Sequence, residues 1–184
     1  MAAENVVNHP TTVVLPAKLK RRFLVDELDF SSWEKLEPWF VQLSNREINS
    51  VAELETWISD WNELDSVFGE EAGWRYINRS CDTQNPEYDR AYNFLVKEID
   101  PHVAPYINGF NTKLINSPFL NQLPEGKYDI WIRSIRNAIL IYREENIPLF
   151  TAVDDLSQEY ARIVSESTVV WEGKELTIPQ EGNL

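Results

Sequence analysis

Apolar residues recur at three- and four-residue steps along most of the chain, which is the spacing of an amphipathic α-helix. The leading segment, residues 1–17, is polar and contains two prolines, so we expect it to be extended. From about residue 30 the helical spacing continues almost to residue 166. The sequence therefore predicts a mainly α-helical domain over residues 18–166, followed by a β-hairpin and tail over residues 167–184.

The first helical stretch opens at Ser31, with Glu34 three residues later in the spacing of a capping box. Pro38 has no amide hydrogen and therefore fits poorly inside a helix. We expect a short turn over residues 32–36, then a helix that has Pro38 in its first turn and ends near Asn45.

The second helix has the clearest start, because Ser50 and Glu53 form another capping-box pair directly before a long apolar stripe. The stripe consists of Val51, Leu54, Trp57, Ile58, Trp61, Leu64 and Phe68. Gly69 and Gly73 weaken the pattern, which then resumes to about Ser80.

A third helix is predicted to start at Asn85-Pro86, an N-cap residue followed by proline at the first helical position. Its apolar period continues across Pro101 and Pro105, so these prolines are expected to kink the helix rather than end it. The segment Asn116-Ser117-Pro118 marks its end.

Two further helices are predicted, from about Glu125 to Glu145 and from about Pro148 to Ser165. The apolar stripe of the first is Trp131, Ile135, Ala138, Ile139 and Tyr142, and that of the second is Leu149, Val153, Leu156, Tyr160 and Ile163.

The period then changes to that of β-strands over residues 168–171 and 174–178. Glu172-Gly173 between them predicts a two-residue hairpin turn. The predicted architecture is thus a bundle of about five long antiparallel helices, kinked at Pro101/Pro105, ending in a β-hairpin. We expect the two strands to pack on the helices or to await a sheet partner.

Composition supports a folded domain and excludes one class of partner. Hydrophobic residues make up 43% of the 184, with seven Trp, seven Tyr and eight Phe, which is enough for a large aromatic core. The formal net charge is −13, whereas nucleic-acid binding requires clustered Lys and Arg. The short basic run 18–22 is interpreted as a solvated segment before the first helix.

The expected compartment is the cytoplasm. Cys81 is the single cysteine, so no intrachain disulfide can form, which fits a reducing compartment. Residues 1–12 lack the charged and apolar regions of a secretory signal. No apolar stretch approaches the length of about 18 residues that spans a bilayer, so no membrane association is expected.

Histidine, the usual ligand of a helical zinc site, is scarce in this chain. A helical zinc site is typically His-Glu-x-x-His, and the chain contains only His9 and His102. Glu98 and His102, four residues apart, are suited in principle to hold a metal, but a helix-surface pair is the favoured interpretation. The sequence predicts no metal-binding, cofactor-binding or catalytic residue in this chain.

Other chemistries are also weakly supported. A catalytic Cys81 would need a histidine close to it in the folded protein. We therefore favour an incidental role for Cys81 over that of the nucleophile of a metal-independent hydrolase. The six glycines form no phosphate-binding loop. The acidic pairs 70–71, 144–145 and 154–155 lack calcium-loop spacing and are interpreted as solvated faces. Trp33 and Trp171, at element ends, are candidates for contact with a partner or peptide.

Several stretches, in order from about residue 13 to 179, together resemble the opening of oligoendopeptidase F-type peptidases. They are Leu15-Pro16-Ala17-Lys18-Leu19-Lys20-Arg21-Arg22-Phe23-Leu24, Arg46-Glu47-Ile48-Asn49-Ser50, Gly73-Trp74-Arg75-Tyr76-Ile77, Cys81-Asp82-Thr83, Glu98-Ile99-Asp100-Pro101-His102-Val103-Ala104-Pro105-Tyr106, Tyr142-Arg143-Glu144-Glu145-Asn146-Ile147-Pro148-Leu149 and the closing hairpin.

The resemblance implies an N-terminal helical domain of a thimet oligopeptidase-like zinc metallopeptidase. In that family such a domain forms one wall of a narrow channel that admits short peptides, and the zinc motif lies in the C-terminal half. None of the family's catalytic residues has a match here, so the chain is expected to be inactive alone and to hold no zinc. Its expected partners are the catalytic half, short peptides or a second copy bound through uncovered apolar surface.

The alternative is a stand-alone helical module that binds a protein or peptide and has no enzymatic role. This hypothesis predicts an exposed apolar patch along the fourth and fifth helices or the hairpin.

Overall fold

A computed structural model of the chain describes residues 20–177. In chain order its elements are α1 (Trp33–Asn45), α2 (Val51–Cys81), α3 (Pro86–Phe94), a π-helical segment (Leu95–Ile99), α4 (Asp100–Ile115), a 3₁₀ turn (Leu120–Gln122), α5 (Asp129–Ile141), a second 3₁₀ turn (Glu144–Asn146), α6 (Ile147–Glu166), β1 (Thr168–Trp171) and β2 (Lys174–Thr177). Because α3, the π-helical segment and α4 are continuous, there are five long helical runs. The predicted mainly α fold with a terminal hairpin is confirmed, while the predicted leader 1–17 lies outside the described residues.

Helix α1 begins earlier than predicted. Ser32 rather than Ser31 is the N-cap, and the helix continues from Trp33 through Pro38 without the expected turn over 32–36. Proline removes one backbone hydrogen bond inside the helix. Burial of one apolar face outweighs that loss, and this face consists of Leu36, Phe40 and Leu43.

The predicted starts of α2 and α3 are confirmed by their caps. Ser50 Oγ accepts a hydrogen bond from the Glu53 amide at 3.2 Å, and Glu53 Oε2 accepts one from the Asn49 amide at 2.7 Å. Asn85 Oδ1 accepts from the Glu87 amide at 3.0 Å. Each cap satisfies a backbone donor that the helix itself leaves unpaired.

The helix continues through Pro101 and Pro105, as predicted, and a π-helical turn lies directly before the first proline. The Asp100 amide donates to the Leu95 carbonyl, five residues earlier, and Pro101 then has no amide hydrogen to donate. The helix regains its α-helical bonding from Asp100 and passes through Pro105 to Ile115.

Helix α5 is shorter at both ends than the predicted 125–145. A turn with Gly126 at φ 76° precedes it, and Tyr142 leaves the helix in an extended conformation. The Arg143 guanidinium donates to the carbonyls of Leu140 at 3.1 Å and Tyr142 at 2.6 Å, which satisfies acceptors at this helix end.

The final elements follow the prediction closely. Helix α6 covers 147–166, and β1 pairs antiparallel with β2, with Thr168 opposite Thr177 and Trp171 opposite Lys174. Ile178, the predicted end of the second strand, lies outside the described residues. All four residues of β1 are exposed. This strand therefore does not pack on the helices, although such packing was one of the two arrangements expected for the hairpin.

The core lies where α1, α2, the π-helical segment and α4 meet. Phe40, Trp57 and Phe110 are fully buried there. The Trp57 and Phe110 rings meet edge-on at 5.9 Å, and Trp61 joins them at 5.6 Å from Phe110. Edge-to-face contacts of this kind add to the stabilisation from area burial.

Two long-range side chains hold the C-terminal end of α1. Trp57 Nε1 donates to the Leu43 carbonyl at 2.9 Å. Lys113 Nζ donates to the carbonyls of Leu43, Ser44 and Arg46 at 3.1, 2.7 and 2.6 Å. These carbonyls have no partner within α1, because the last four acceptors of a helix lack an amide donor. Lys113 and Trp57 therefore join α4 and α2 to the same helix end.

Polar contacts also attach the segment that precedes α1. The Glu63 carboxylate accepts hydrogen bonds from the amides of Arg22, Phe23 and Leu24 at 2.9, 3.0 and 2.8 Å. Burial of Glu63 raises its pKa, but the three amide donors outweigh it and leave the pKa below its ordinary value.

We expect Lys113→Met to lower the free energy of unfolding by about 2 kcal/mol, because it removes three charge-assisted hydrogen bonds to the carbonyls at the end of α1 while keeping most of the side-chain volume. Urea denaturation measures this change. Lys127→Met is the matched control, since Lys127 makes exposed contacts, an ion pair with Glu55 at 3.0 Å and a cation–π contact over the Tyr128 ring at 4.8 Å. Equal effects of the two substitutions would contradict the stabilising role of Lys113.

Candidate functional site

Helix α6 lies on the bundle with its polar side inward. No residue of α6 is buried. Five of its positions are half-buried: Ile147 at its first residue is apolar, and the other four recur at helical spacing and are polar, namely Thr151, Asp155, Gln158 and Ser165. This is the reverse of an ordinary surface helix, which turns its apolar stripe toward the core.

The opposite side of α6 carries a continuous apolar stripe that faces solvent. This stripe, which we call the α6 stripe, is Leu149, Val153, Leu156, Tyr160 and Ile163. Leu156 is 72% and Tyr160 70% exposed. The sequence pattern predicted the stripe, but only the structure shows that it is uncovered.

Exposed apolar side chains are also found in the elements that flank α6 along the chain. They are Leu140 and Ile141 at the end of α5, Phe150 in α6, and Val170 and Trp171 in β1. Large uncovered apolar surfaces mark interaction sites. Exposed apolar side chains therefore occur in the fourth and fifth helical runs and in the hairpin, where a patch was predicted, and Trp171 is 53% exposed.

An ion pair connects α6 to the π-helical segment. Lys97 Nζ in the π-helical segment lies 2.9 Å from Asp155 Oδ1. Asp100 keeps access to solvent, yet desolvation by the surrounding protein, together with the Asp154 charge, raises its pKa to about 6. Gln158 Nε2 is buried and has no hydrogen-bond partner among residues 20–177. Because these groups are polar or charged, their contact stabilises the packing of α6 on the bundle less than an apolar contact would.

The candidate metal pair Glu98/His102 gains no further ligands. The His102 ring stacks on Trp33 with centroids 5.2 Å apart and planes 15° apart. Within residues 20–177 no group of three or more His, Cys, Asp or Glu side chains is placed to hold a metal ion. His9 lies outside the described residues.

Trp33 itself is half-buried in the aromatic core rather than free to meet a partner. Besides stacking on His102, its ring lies 5.3 Å from Phe40 and 5.7 Å from Tyr106.

Cys81 is an exposed thiol at the last position of α2. The nearby Arg79 is engaged elsewhere, since its Nε lies 2.9 Å from Asp89 Oδ1 and its guanidinium lies over the Tyr92 ring at 5.4 Å. The arrangement thus assigns this cysteine no catalytic partner within the described part of the chain.

The fold and this surface define a helical domain whose most distinctive feature is an uncovered apolar face. The sequence profile described as Peptidase M3 N-terminal domain matches residues 27–142. This chain belongs to that family.

A solved structure described as PZ peptidase A with inhibitor 2 has a similar fold, with a TM-score of 0.77 and 24% sequence identity. The alignment covers 88% of this chain but only 29% of the PZ peptidase A chain. No curated protein matches this sequence at a significant level. Among the described residues, no helix is both long and apolar enough to cross a membrane.

We expect Asp100→Asn to raise the free energy of unfolding by about 1 kcal/mol above pH 6, a value discounted for solvent screening of this exposed carboxylate. The folded pKa is about 6 against the ordinary 3.8, so the folded state binds the proton more tightly. The contribution of Asp100 to stability should therefore fall as the pH rises from about 4 to 6 and change no further above that. Denaturation of wild type, Asp100→Asn and the control Glu98→Gln across this range would contradict the assignment if all three gave parallel pH profiles.

Proposed function

We propose that this chain is the non-catalytic N-terminal domain of a zinc metallo-oligoendopeptidase that hydrolyses short peptides. The observation that carries the proposal is the uncovered α6 stripe in a chain that belongs to the Peptidase M3 N-terminal domain family. An apolar face of this kind is stable in water when another surface covers it.

In this proposal the covering surface is the catalytic half of the peptidase. The chain spans 29% of the length of PZ peptidase A, so such a half is a partner of appropriate scale. Zinc and the general base would belong to that half. The helical domain would contribute shape, as one wall of a channel that admits short peptides.

The proposed compartment is the cytoplasm, which the single cysteine supports because a reducing environment leaves thiols unpaired. No nucleic-acid partner is proposed, since acidic residues outnumber basic ones 30 to 17.

The alternative is a stand-alone protein- or peptide-binding module. The α6 stripe supports this function as well, because it is accessible without any further domain. The two functions differ in the coding sequence downstream of residue 184: the first requires a His-Glu-x-x-His helix in the same gene, whereas the second does not.

We expect the purified chain to cleave no fluorogenic oligopeptide, with or without added zinc, because the described residues supply neither a metal site nor a paired nucleophile. The measurement is the rate of fluorescence release, compared with buffer alone. Zinc-dependent cleavage that a chelator abolishes would overturn the proposal. Cleavage that persists in zinc-free buffer and is lost in Cys81→Ala would instead establish the metal-independent hydrolase.

Sequencing the gene downstream of codon 184 separates the proposal from its alternative. If a zinc motif is found, the longer chain should be an active, chelator-sensitive peptidase. Its absence would favour the stand-alone module.

A further inference from the structure

We propose that the outer edge of β1 binds a short extended peptide, which joins the β-hairpin as a third strand. Two arrangements were expected for the hairpin, and packing of β1 on the helices is not observed, since all four of its residues are exposed. In the part of the chain that the structure describes, β1 and β2 pair only with each other. A two-stranded hairpin is marginal in water, and a further strand stabilises it.

The turn determines which backbone groups of β1 point away from β2. Its two residues have φ of 48° and 78°, as in a two-residue type I′ turn. The residues that flank such a turn, Trp171 and Lys174, exchange backbone hydrogen bonds, and successive pairs along an antiparallel ladder alternate between bonded and non-bonded. The next pair is Val170 opposite Glu175, so the amide and carbonyl of Val170 point outward.

The outward backbone groups of β1 form a row of donors and acceptors. Thr168 lies two residues before Val170 and therefore has the same orientation as Val170. The side chains of residues 20–177 leave this row accessible, since Val170 is 76% exposed. The two outward residues lie about 7 Å apart, which is the repeat of an extended chain. Another extended backbone therefore matches this edge, as in peptide binding by strand addition.

The two outer edges of the hairpin differ in their protection against strand pairing. Strand β2 begins with Lys174 and Glu175, and charged side chains on an edge strand disfavour pairing. Strand β1 has the sequence Thr-Val-Val-Trp and pairs in regular register, so it has no charge, proline or bulge. Edge strands usually carry one of these protecting features. Its absence from β1 distinguishes this edge as the one that binds a peptide.

The side chains of the hairpin define the kind of peptide that fits. Val169 and Trp171 lie on one face of β1, and Leu176 lies opposite Val169 on the same face. Apolar residues at every second position of the peptide would lie beside this face. On the other face, Glu175 Oε1 accepts a hydrogen bond from Thr168 Oγ1 at 2.6 Å. Because the whole chain carries −13, we expect the remaining positions of the peptide to be basic rather than acidic.

The choice of a short peptide as the ligand rests on the proposed function, whereas the accessible edge is a property of the hairpin. A longer chain that contains the zinc motif but binds no peptide at β1 would refute the edge and leave the peptidase. Peptide binding at β1 without a downstream zinc motif would refute the peptidase and leave the edge. The two failures are therefore distinguishable.

Fluorescence anisotropy tests the edge with a labelled, capped peptide of alternating valine and lysine. The wild-type chain should bind this peptide saturably. Val170→Pro should weaken binding about 10-fold, because it removes an outward amide donor. The hairpin itself should persist, since proline is tolerated on an edge strand where its nitrogen faces outward. Glu175→Pro makes the same change on the outer edge of β2 and is the matched control, which should bind nearly as well as wild type.

NMR cross-peaks between residues 169 and 176 establish that the hairpin persists in both variants. A wild-type chain that does not bind the peptide overturns the proposal. Binding that Val170→Pro leaves unchanged, or that the two proline variants weaken equally, also overturns it.

Methylation of the peptide amides tests the same contact without altering the protein. Backbone amides of an extended peptide point alternately to its two sides, and only one side faces β1. N-methylation of one alternate set of residues should therefore abolish binding, whereas methylation of the other set should leave it nearly unchanged. Equal affinities of the two methylated peptides would contradict pairing at a strand edge.

Two further measurements test the identity of the ligand. A peptide of alternating valine and glutamate should bind more weakly than the lysine peptide, and added salt should reduce the difference. Tighter binding of the glutamate peptide would overturn the expected basic ligand. Sedimentation velocity without peptide should give the monomer mass, since copies that each carry −13 repel one another. A dimer that Val170→Pro abolishes would show that a second copy occupies the edge, and it would overturn the peptide as its ligand.

Discussion

The C-terminal end of α1 is the point on which the rest of the bundle depends. Lys113 reaches back from α4 to three carbonyls there, and Trp57 of α2 donates to one of the same carbonyls. A charged amine is costly to desolvate, and burial together with the Arg46 charge lowers the Lys113 pKa. The contact is favourable because otherwise unpaired acceptors surround that amine. It fixes three helices that are distant in sequence at one place.

The contrast between this core and α6 explains what the domain is suited to do. Around Phe110 the apolar faces meet and exclude water, whereas α6 meets the bundle through polar side chains and the Lys97–Asp155 pair. Its apolar side is exposed, with Leu156 and Tyr160 facing solvent. In the proposed function, this exposed apolar side is what the domain offers to the rest of the peptidase.

Prediction succeeded where local physics decides. The Ser50–Glu53 pair and Asn85 followed by proline are chemically specific to helix starts, so both starts were predicted from sequence. It was wrong where tertiary packing overrides a local preference. Pro38 was expected near a helix start, but burial of the α1 face keeps it inside the helix. The predicted α5 was too long because apolar spacing does not reveal the bonds that end a helix.

For the candidate site, the sequence determined the α6 stripe and its spacing, because helical periodicity is a property of the local chain. It also determined the single cysteine, the excess of acidic residues and the scarcity of histidine, which together limit the chemistry open to this protein. Only the tertiary structure decided which side of α6 meets the bundle. That choice depends on the elements against which α6 packs, among them the π-helical segment that carries Lys97, and no local pattern encodes their proximity to α6. An apolar stripe is the same in sequence whether it lies in a core or faces a partner.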